Sequence, residues 1–80
     1  MIDNIKIGQR IAMLRKEKGF TQEEIADELG VTGQAVSKWE NGNALPDLLL
    51  LPQLAGMFEI SIDRLLSPND LYIFPSNMGL

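Results

Sequence analysis

Apolar residues recur at helical spacing along most of the chain, in short segments separated by turn-forming residues. Ile7, Ile11 and Leu14 lie at positions i, i+4 and i+7, which is one face of a helix running from about Ile5 to Lys18. Gly19 follows where a C-terminal cap is expected, and lysines in the last turn suit the helix dipole. The first segment therefore predicts an amphipathic helix.

The second segment begins with a capping box. In Thr21-Gln22-Glu23-Glu24 the Thr21 hydroxyl can accept from the Glu24 amide, and the Glu24 carboxylate can accept from the Thr21 amide. Gly30 ends the short helix that follows. The apolar face of this helix consists of Ile25, Ala26 and Leu29.

A third helix is predicted from Gly33 to about Asn41, with Thr32 as its N-cap and Gly42 after its end. Its buried positions are Ala35, Val36 and Trp39. The second and third helices are short and are joined by a turn of three or four residues that contains a glycine. This arrangement is the signature of a helix-turn-helix.

Two further helices complete the pattern. Pro52 lacks an amide hydrogen and belongs in a first turn, so the fourth helix starts near Leu48–Leu50. Its apolar face is formed by the residues at i, i+3, i+4 and i+7, which are Leu51, Leu54, Ala55 and Phe58. Ser61 caps a fifth helix, Ile62–Leu66. The Leu48–Leu51 run exceeds what one helix face can bury, so one or two leucines are expected to be exposed, either as an apolar helix start or as a contact with another subunit.

The fold class predicted from these elements is all-α, with five helices in one domain over residues 1–66. Residues 67–80 follow as a tail that carries a short, apolar, β-prone segment, Leu71–Phe74. The 80 residues are enough for a single domain.

The amino-acid composition excludes several classes of function. The chain has no Cys and no His, which excludes disulfides, thiolate or zinc sites and His-based proton transfer, and no pair of carboxylates suggests acid–base chemistry. We therefore expect no enzyme activity, no cofactor and no metal. No apolar run is long enough to span a membrane, and the N-terminus does not resemble a signal peptide, so a cytoplasmic location is expected.

The charge distribution is uneven. Seven basic and eleven acidic residues give a net charge of −4, with +3 in residues 1–20, −6 in residues 21–66 and −1 in residues 67–80. An acidic chain should bind nucleic acid poorly unless its few bases are concentrated at one site. The charge alone therefore argues against DNA binding.

A series of motifs in the sequence instead favours DNA binding. In chain order they are Gly19–Ala26, Gly30–Thr32, Val36–Gly42, Pro46–Asp47, Leu54–Ala55 and Ser61–Leu66. Over about residues 5–66 they resemble the lambda-repressor-like, Xre-type family of helix-turn-helix domains. The resemblance implies a compact five-helix domain whose homodimers bind double-stranded DNA and regulate transcription, as repressors do.

In such a domain the third helix enters the major groove, and residues near its N-terminus meet the base edges. The candidate base contacts are Gln34, Ser37 and Lys38, since Gln pairs with adenine and Lys with guanine. The alternative for Lys38 is a solvated surface lysine. Gly33 has no side chain, so a base contact that some relatives make there is absent.

The resemblance also implies phosphate contacts. Gln22 would bind a phosphate and brace the third helix, which is called the recognition helix because it meets the bases. The alternative is a surface glutamine with no role in binding. Thr32, Asn41 and Asn43 match positions that commonly touch the DNA backbone. The loop Asn43–Asp47 carries no basic residue, unlike the loop of many relatives, which should weaken phosphate binding.

Arg15 and Glu40 match an ion pair that relatives hold between the first and third helices. The alternative is two unrelated surface charges. Trp39, next to Glu40, is expected in the core, with exposure at a partner surface as its alternative.

A homodimer needs an apolar surface away from the DNA. The candidates are Ile62, Leu65 and Leu66 of the fifth helix with Leu71, Tyr72, Ile73 and Phe74 of the tail. The alternative is that the tail segment folds back onto its own core. Two other functions also fit the sequence: a module that binds a protein partner without DNA, favoured by the charge, and an antitoxin-type protein that binds a toxin and its own operator.

Overall fold

The computed structural model describes residues 3–66, which form helices joined by turns. The helices are α1 (Asn4–Glu17), α2 (Gln22–Leu29), α3 (Gly33–Glu40), α4 (Leu51–Phe58) and α5 (Ile62–Leu66), with a 3₁₀ turn over Leu48–Leu50 leading into α4. The predicted all-α, five-helix fold is thus confirmed for this part of the chain. Within residues 3–66 no helix has the length and apolar character needed to cross a membrane.

Local capping explains where the helices begin. The predicted capping box of α2 is present, with Thr21 Oγ1 accepting from the Glu24 amide at 3.0 Å and Glu24 Oε1 accepting from the Thr21 amide at 2.8 Å. Thr32 and Ser61 cap α3 and α5 as predicted. α1 starts one residue earlier than predicted, because Asp3 Oδ1 accepts from the amides of Ile5 and Lys6.

The turn between α2 and α3 depends on Gly30. Its φ of 73° lies in the left-handed region, which glycine adopts without the steric penalty of a Cβ. This conformation lets the Val31 amide donate to the Ala26 carbonyl at 3.0 Å and close the end of α2. Thr32 then caps α3, so only Gly30, Val31 and Thr32 separate the two helices.

All five helices contribute to one apolar core. Trp39 is buried, as predicted, and so are all four residues of the predicted α4 face, whereas Ala35 is half-buried instead of buried. The buried apolar residues are Ile7, Ile11, Ile25, Ala26, Leu29, Val36, Trp39, Leu51, Leu54, Ala55, Phe58 and Leu65. Most of these positions follow from the spacing of apolar residues along each helix.

The residues predicted to form a dimer surface differ in how exposed they are in the structure. Leu65 is 0% exposed and packs in the core of its own chain, so its assignment to a partner-facing surface is corrected. Ile62 is exposed and Leu66 is half-buried. Leu71, Tyr72, Ile73 and Phe74 lie outside the described residues.

α1 packs closely against the end of α3 at Gly8, which is buried within α1. A Cβ built at Gly8 would overlap the Trp39 carbonyl oxygen and lie 3.0 Å from that of Glu40. Because these atoms belong to backbone, they cannot rotate away as a side chain would. The missing side chain therefore sets how closely the end of α3 packs against α1, a contact that the sequence analysis did not predict.

We expect Gly8→Ala to destabilise the domain by about 1–3 kcal/mol, since overpacking outweighs the gain in helix propensity. Gly56→Ala is the matched control in α4, where an added Cβ has no atom within 4 Å. That substitution should stabilise the domain by about 0.5–1 kcal/mol. Urea unfolding of the three proteins measures both effects, and equal stabilisation by both alanines would contradict the proposed close approach.

Candidate nucleic-acid interface

α3 has one apolar face in the core and one polar face in solvent. Val36 and Trp39 are buried, whereas Gln34 and Lys38, four residues apart on the opposite face, are exposed. Within residues 3–66 neither Gln34 nor Lys38 makes a hydrogen bond or an ion pair. Both side chains are therefore available to a ligand that lies along this face.

Ser37 is half-buried between these two residues on the same face. Asn41 Nδ2 donates to Ser37 Oγ at 3.4 Å, which is at the long end of hydrogen-bond distances, and Ser37 is the acceptor. The hydroxyl proton of Ser37 remains free to be donated elsewhere. The structure thus brings the three predicted base-contacting residues onto one helix face.

The predicted Arg15–Glu40 ion pair is present and bidentate. Arg15 Nε lies 2.6 Å from Glu40 Oε2, and Arg15 Nη2 lies 3.1 Å from Glu40 Oε1. The two side chains are only 13% and 7% exposed. The hydrogen bond to the Glu40 carboxylate, and then its charge, raise the pKa of the Arg15 guanidinium, although desolvation by burial opposes them.

The same ion pair also fixes the start of α2. Arg15 Nη1 donates to the Phe20 carbonyl at 3.0 Å, and Gln22 Nε2 donates to Glu40 Oε1 at 2.9 Å. Gln22 thus braces the recognition helix, as the resemblance implies, but it does so through Glu40, which the sequence did not predict. Its second N–H remains available for the expected phosphate contact, which stays a prediction.

The other predicted phosphate contacts lie at the two ends of α3. Thr32, Asn41 and Asn43 are all exposed. Thr32 Oγ1 accepts from the Ala35 amide at 3.1 Å, which leaves its hydroxyl proton for donation. All three are neutral donors, so each would contribute hydrogen bonds to phosphate and no added positive charge.

Several basic side chains are engaged within the protein. Arg15 is committed to Glu40, Lys18 Nζ lies 3.0 Å from Glu59 Oε1, and Arg10 Nη1 donates to the Arg64 carbonyl at 3.1 Å. Lys38 is the basic residue on the exposed face of α3. The electrostatic attraction of this surface for DNA is therefore limited, in line with the acidic composition.

An acidic side chain that the sequence analysis did not assign to the interface lies at the start of α3. The Glu23 carboxylate contacts Gly33, and its Cδ lies 3.2 Å from the point that a Cβ at position 33 would occupy. The two residues belong to different helices, so no local pattern brings them together. Gly33 itself has no side chain to offer a base, but the structure places the Glu23 carboxylate beside it.

An apolar surface lies just before α4. Leu48 is 77% exposed and Leu49 is 80% exposed, whereas Leu51 is buried. Asp47 Oδ1 accepts from the Leu49 amide at 2.9 Å and so helps to fix the 3₁₀ turn that presents both side chains. The prediction that one or two of these leucines are exposed is confirmed. We call Leu48 and Leu49 the leucine patch.

Comparison with known proteins gives matches over most of the chain. Residues 11–65 match the model of the helix-turn-helix family HTH_3. The chain is 36% identical over 67 residues to the HTH-type transcriptional activator BcrR of Enterococcus faecalis, covering 84% of this chain and 33% of BcrR. It is 41% identical over 61 residues to the cryptic phage CTXphi transcriptional repressor RstR of Vibrio cholerae, covering 76% of this chain and 54% of RstR.

The chain thus spans about a third of BcrR and about half of RstR. Among solved structures, it is similar to the P22 c2 repressor protein in complex with synthetic operator 9T, with a TM-score of 0.73 and 30% identity. That match covers 79% of this chain and 96% of the repressor chain. Both the helical fold and the sequence motifs are therefore shared with helix-turn-helix proteins.

We expect Glu40→Gln to destabilise the domain by about 3 kcal/mol, because it leaves the largely buried Arg15 guanidinium without its counter-charge. Replacing both partners with apolar residues, in Arg15→Met with Glu40→Leu, should recover part of that loss, because no buried charge is left unpaired although the Phe20 carbonyl and Gln22 lose a hydrogen-bond partner. Lys18→Gln breaks the more exposed pair with Glu59 and should change the stability by about 0.5 kcal/mol or less. Urea unfolding measures all three, and a loss in Glu40→Gln no larger than in Lys18→Gln would show that the ion pair does not hold the helices together.

Proposed function

Since this chain belongs to the helix-turn-helix family HTH_3, we propose that it is a sequence-specific DNA-binding transcription regulator that acts as a homodimer on a pseudo-palindromic operator. The observation that carries the proposal is the exposed polar face of α3 within the matched residues. Further support comes from relatives named as transcriptional regulators and from a similar repressor solved with an operator.

The residues of this face suit the base edges of the major groove. Gln34 can pair with N6 and N7 of adenine, Lys38 can donate to O6 and N7 of guanine, and Ser37 can donate or accept. Because the three side chains share one face, they would meet neighbouring base pairs of one half-site. These contacts would carry the sequence preference of the protein.

Phosphate contacts would fix the position of α3 on the duplex. Gln22, Thr32, Asn41 and Asn43 lie near the two ends of the recognition helix, where the sugar–phosphate backbones border the groove. Their polar groups are neutral, and the loop Asn43–Asp47 adds no base. We therefore expect modest affinity per subunit, with a large share of the specificity coming from base contacts.

Modest affinity per subunit favours a dimer. Two recognition helices on one face of the duplex lie about 34 Å apart and read two half-sites together. The leucine patch and the exposed Ile62 provide apolar surface for a second copy, and apolar side chains this exposed are common at subunit contacts. Leu66 and the tail residues Leu71–Phe74 remain candidates for the same interface.

A second candidate function is a module that binds a protein partner without DNA. The observation in its favour is the net charge of −4, together with the loop after α3 that has no basic residue. An antitoxin-type protein that binds both a toxin and its own operator would combine the two functions. Selection of bound sequences from random duplex DNA distinguishes a DNA-binding regulator from a module that binds only protein, because the latter would enrich no sequence.

In that selection we expect Gln34→Ala to relax the preference at one base pair and to weaken binding to the selected site by about 1–3 kcal/mol. Gln22→Ala should weaken all sequences about equally, because phosphates carry no sequence information. Titration of the selected site and of single-base variants by anisotropy measures both. An even loss across all sites in Gln34→Ala would contradict the placement of α3 in the groove.

We expect the double substitution Leu48→Ser with Leu49→Ser to convert the dimer to a monomer of 8.9 kDa, as measured by sedimentation equilibrium. The variant should still unfold cooperatively as a folded monomer, because neither side chain belongs to the core of its own chain. Met13→Ser removes an apolar side chain that is 52% exposed elsewhere, and it serves as the control. Deleting residues 68–80 tests the tail in the same assay, and a monomeric parent protein at high concentration would rule out the dimer.

A further inference from the structure

The start of α3 holds a carboxylate at the place where a base-reading side chain would begin. Gly33 is the first residue of α3, and the Glu23 carboxylate lies so close to it that a Cβ at position 33 would overlap Glu23 Oε2. Residues at the N-terminal end of a recognition helix are those that meet the base edges. Glu23, from α2, therefore supplies a functional group that residue 33 cannot.

The carboxylate of Glu23 is exposed and uncommitted. Within residues 3–66 it accepts no hydrogen bond and forms no ion pair, whereas the neighbouring Glu24 is held by the capping box at 2.8 Å from the Thr21 amide. The positive end of the α3 dipole favours a negative group at this place. Glu23 is thus held near the α3 N-terminus with its hydrogen-bonding capacity unused.

Resting on the proposed function, we propose that Glu23 is a specificity-determining residue that selects cytosine at the base pair facing Gly33. An ionised carboxylate only accepts hydrogen bonds. Of the four bases, guanine and thymine present acceptors in the major groove, and adenine presents an acceptor beside its one donor. Cytosine is the base whose own major-groove edge carries a donor, the N4 amino group, and no acceptor, so it is the base that satisfies Glu23.

The competing role for Glu23 is electrostatic. A carboxylate close to the DNA backbone would repel phosphates and lower the affinity for every sequence alike. The two roles differ in what neutralisation does. Removing a phosphate-repelling charge raises affinity evenly, whereas removing a base contact changes the preference at one base pair and leaves the other positions unchanged.

The test begins with selection from random duplex DNA. The selected site and its three single-base variants at the base pair facing Gly33 are then titrated by anisotropy. The parent protein should favour cytosine there by about 5- to 100-fold. Glu23→Ala should abolish that preference, and Glu23→Gln should shift it to adenine, because an amide both donates to N7 and accepts from N6. Glu28→Gln, which makes the same charge change at the other end of α2, is the control and should keep the preference for cytosine.

Gly33→Ala gives a second, independent variant. The added methyl would take the place of the Glu23 carboxylate, which can rotate away at little cost because it ends a flexible side chain. The preference should therefore be lost at the same base pair as in Glu23→Ala. This result would not follow if Glu23 acted only through its charge, since Gly33→Ala leaves the net charge unchanged.

The outcomes separate the two proposals. An even gain in affinity for all four sites in Glu23→Ala and Glu23→Gln, or an unchanged preference in both, would overturn the role of Glu23 while the parent protein still selects a sequence. If the parent protein enriches no sequence at all, the proposed DNA-binding function fails, and the role of Glu23 fails with it.

Discussion

The Glu40 carboxylate sits almost fully buried at the end of the recognition helix, and a buried charge must be satisfied by partners in fixed positions. Arg15 supplies the counter-charge from α1, and Gln22 supplies a further donor from the start of α2. Since removing either partner would leave polar groups unpaired, the three helices cannot shift independently. Gly8 makes this possible, because α1 can approach the end of α3 only where no side chain intervenes.

This constraint also decides which charges are left for DNA. Arg15 belongs to the first part of the chain, where the basic residues are concentrated, but its guanidinium is used inside the fold. The helix that would enter the groove carries Lys38 on its exposed face and has the acidic Glu23 at its start. A surface with so little positive charge would have weak non-specific affinity for DNA. Discrimination between sequences would then rest on the proposed hydrogen bonds to bases, made from a helix whose end is fixed by Glu40.

The parts of the fold that follow from local signals could be predicted from the sequence. The caps at Thr21, Thr32 and Ser61 were predictable because each capping interaction spans only three residues. The spacing of apolar residues likewise placed Leu54 and Phe58 in the core. The Arg15–Glu40 pair came from the resemblance, since nothing local links residues 25 positions apart. The phosphate and base contacts remain predictions.

Contacts between helices were not predicted where only three-dimensional packing creates them. Gly8 does not stand in a turn or at a helix end, so its role depends on the α3 backbone beside it. The sequence made Leu65 a candidate for a partner surface because a dimer needs an apolar patch away from the DNA, but packing of α5 against α1 and α4 buries it in its own chain. The contact of Glu23 with Gly33 joins two helices across the turn at Gly30, so it depends on how that turn orients α3 relative to α2.

The low positive charge and the leucine patch are connected through the affinity that a regulator needs. A single domain with few cationic contacts gains little over non-specific binding, and adding surface lysines would strengthen binding to all sequences alike. Joining two domains instead adds a second set of base contacts, which increases affinity only for sites that contain both half-sites. Two leucines that are about four-fifths exposed add nothing to the core of one chain, but they suit such a junction because burying them against a second copy removes apolar surface from water.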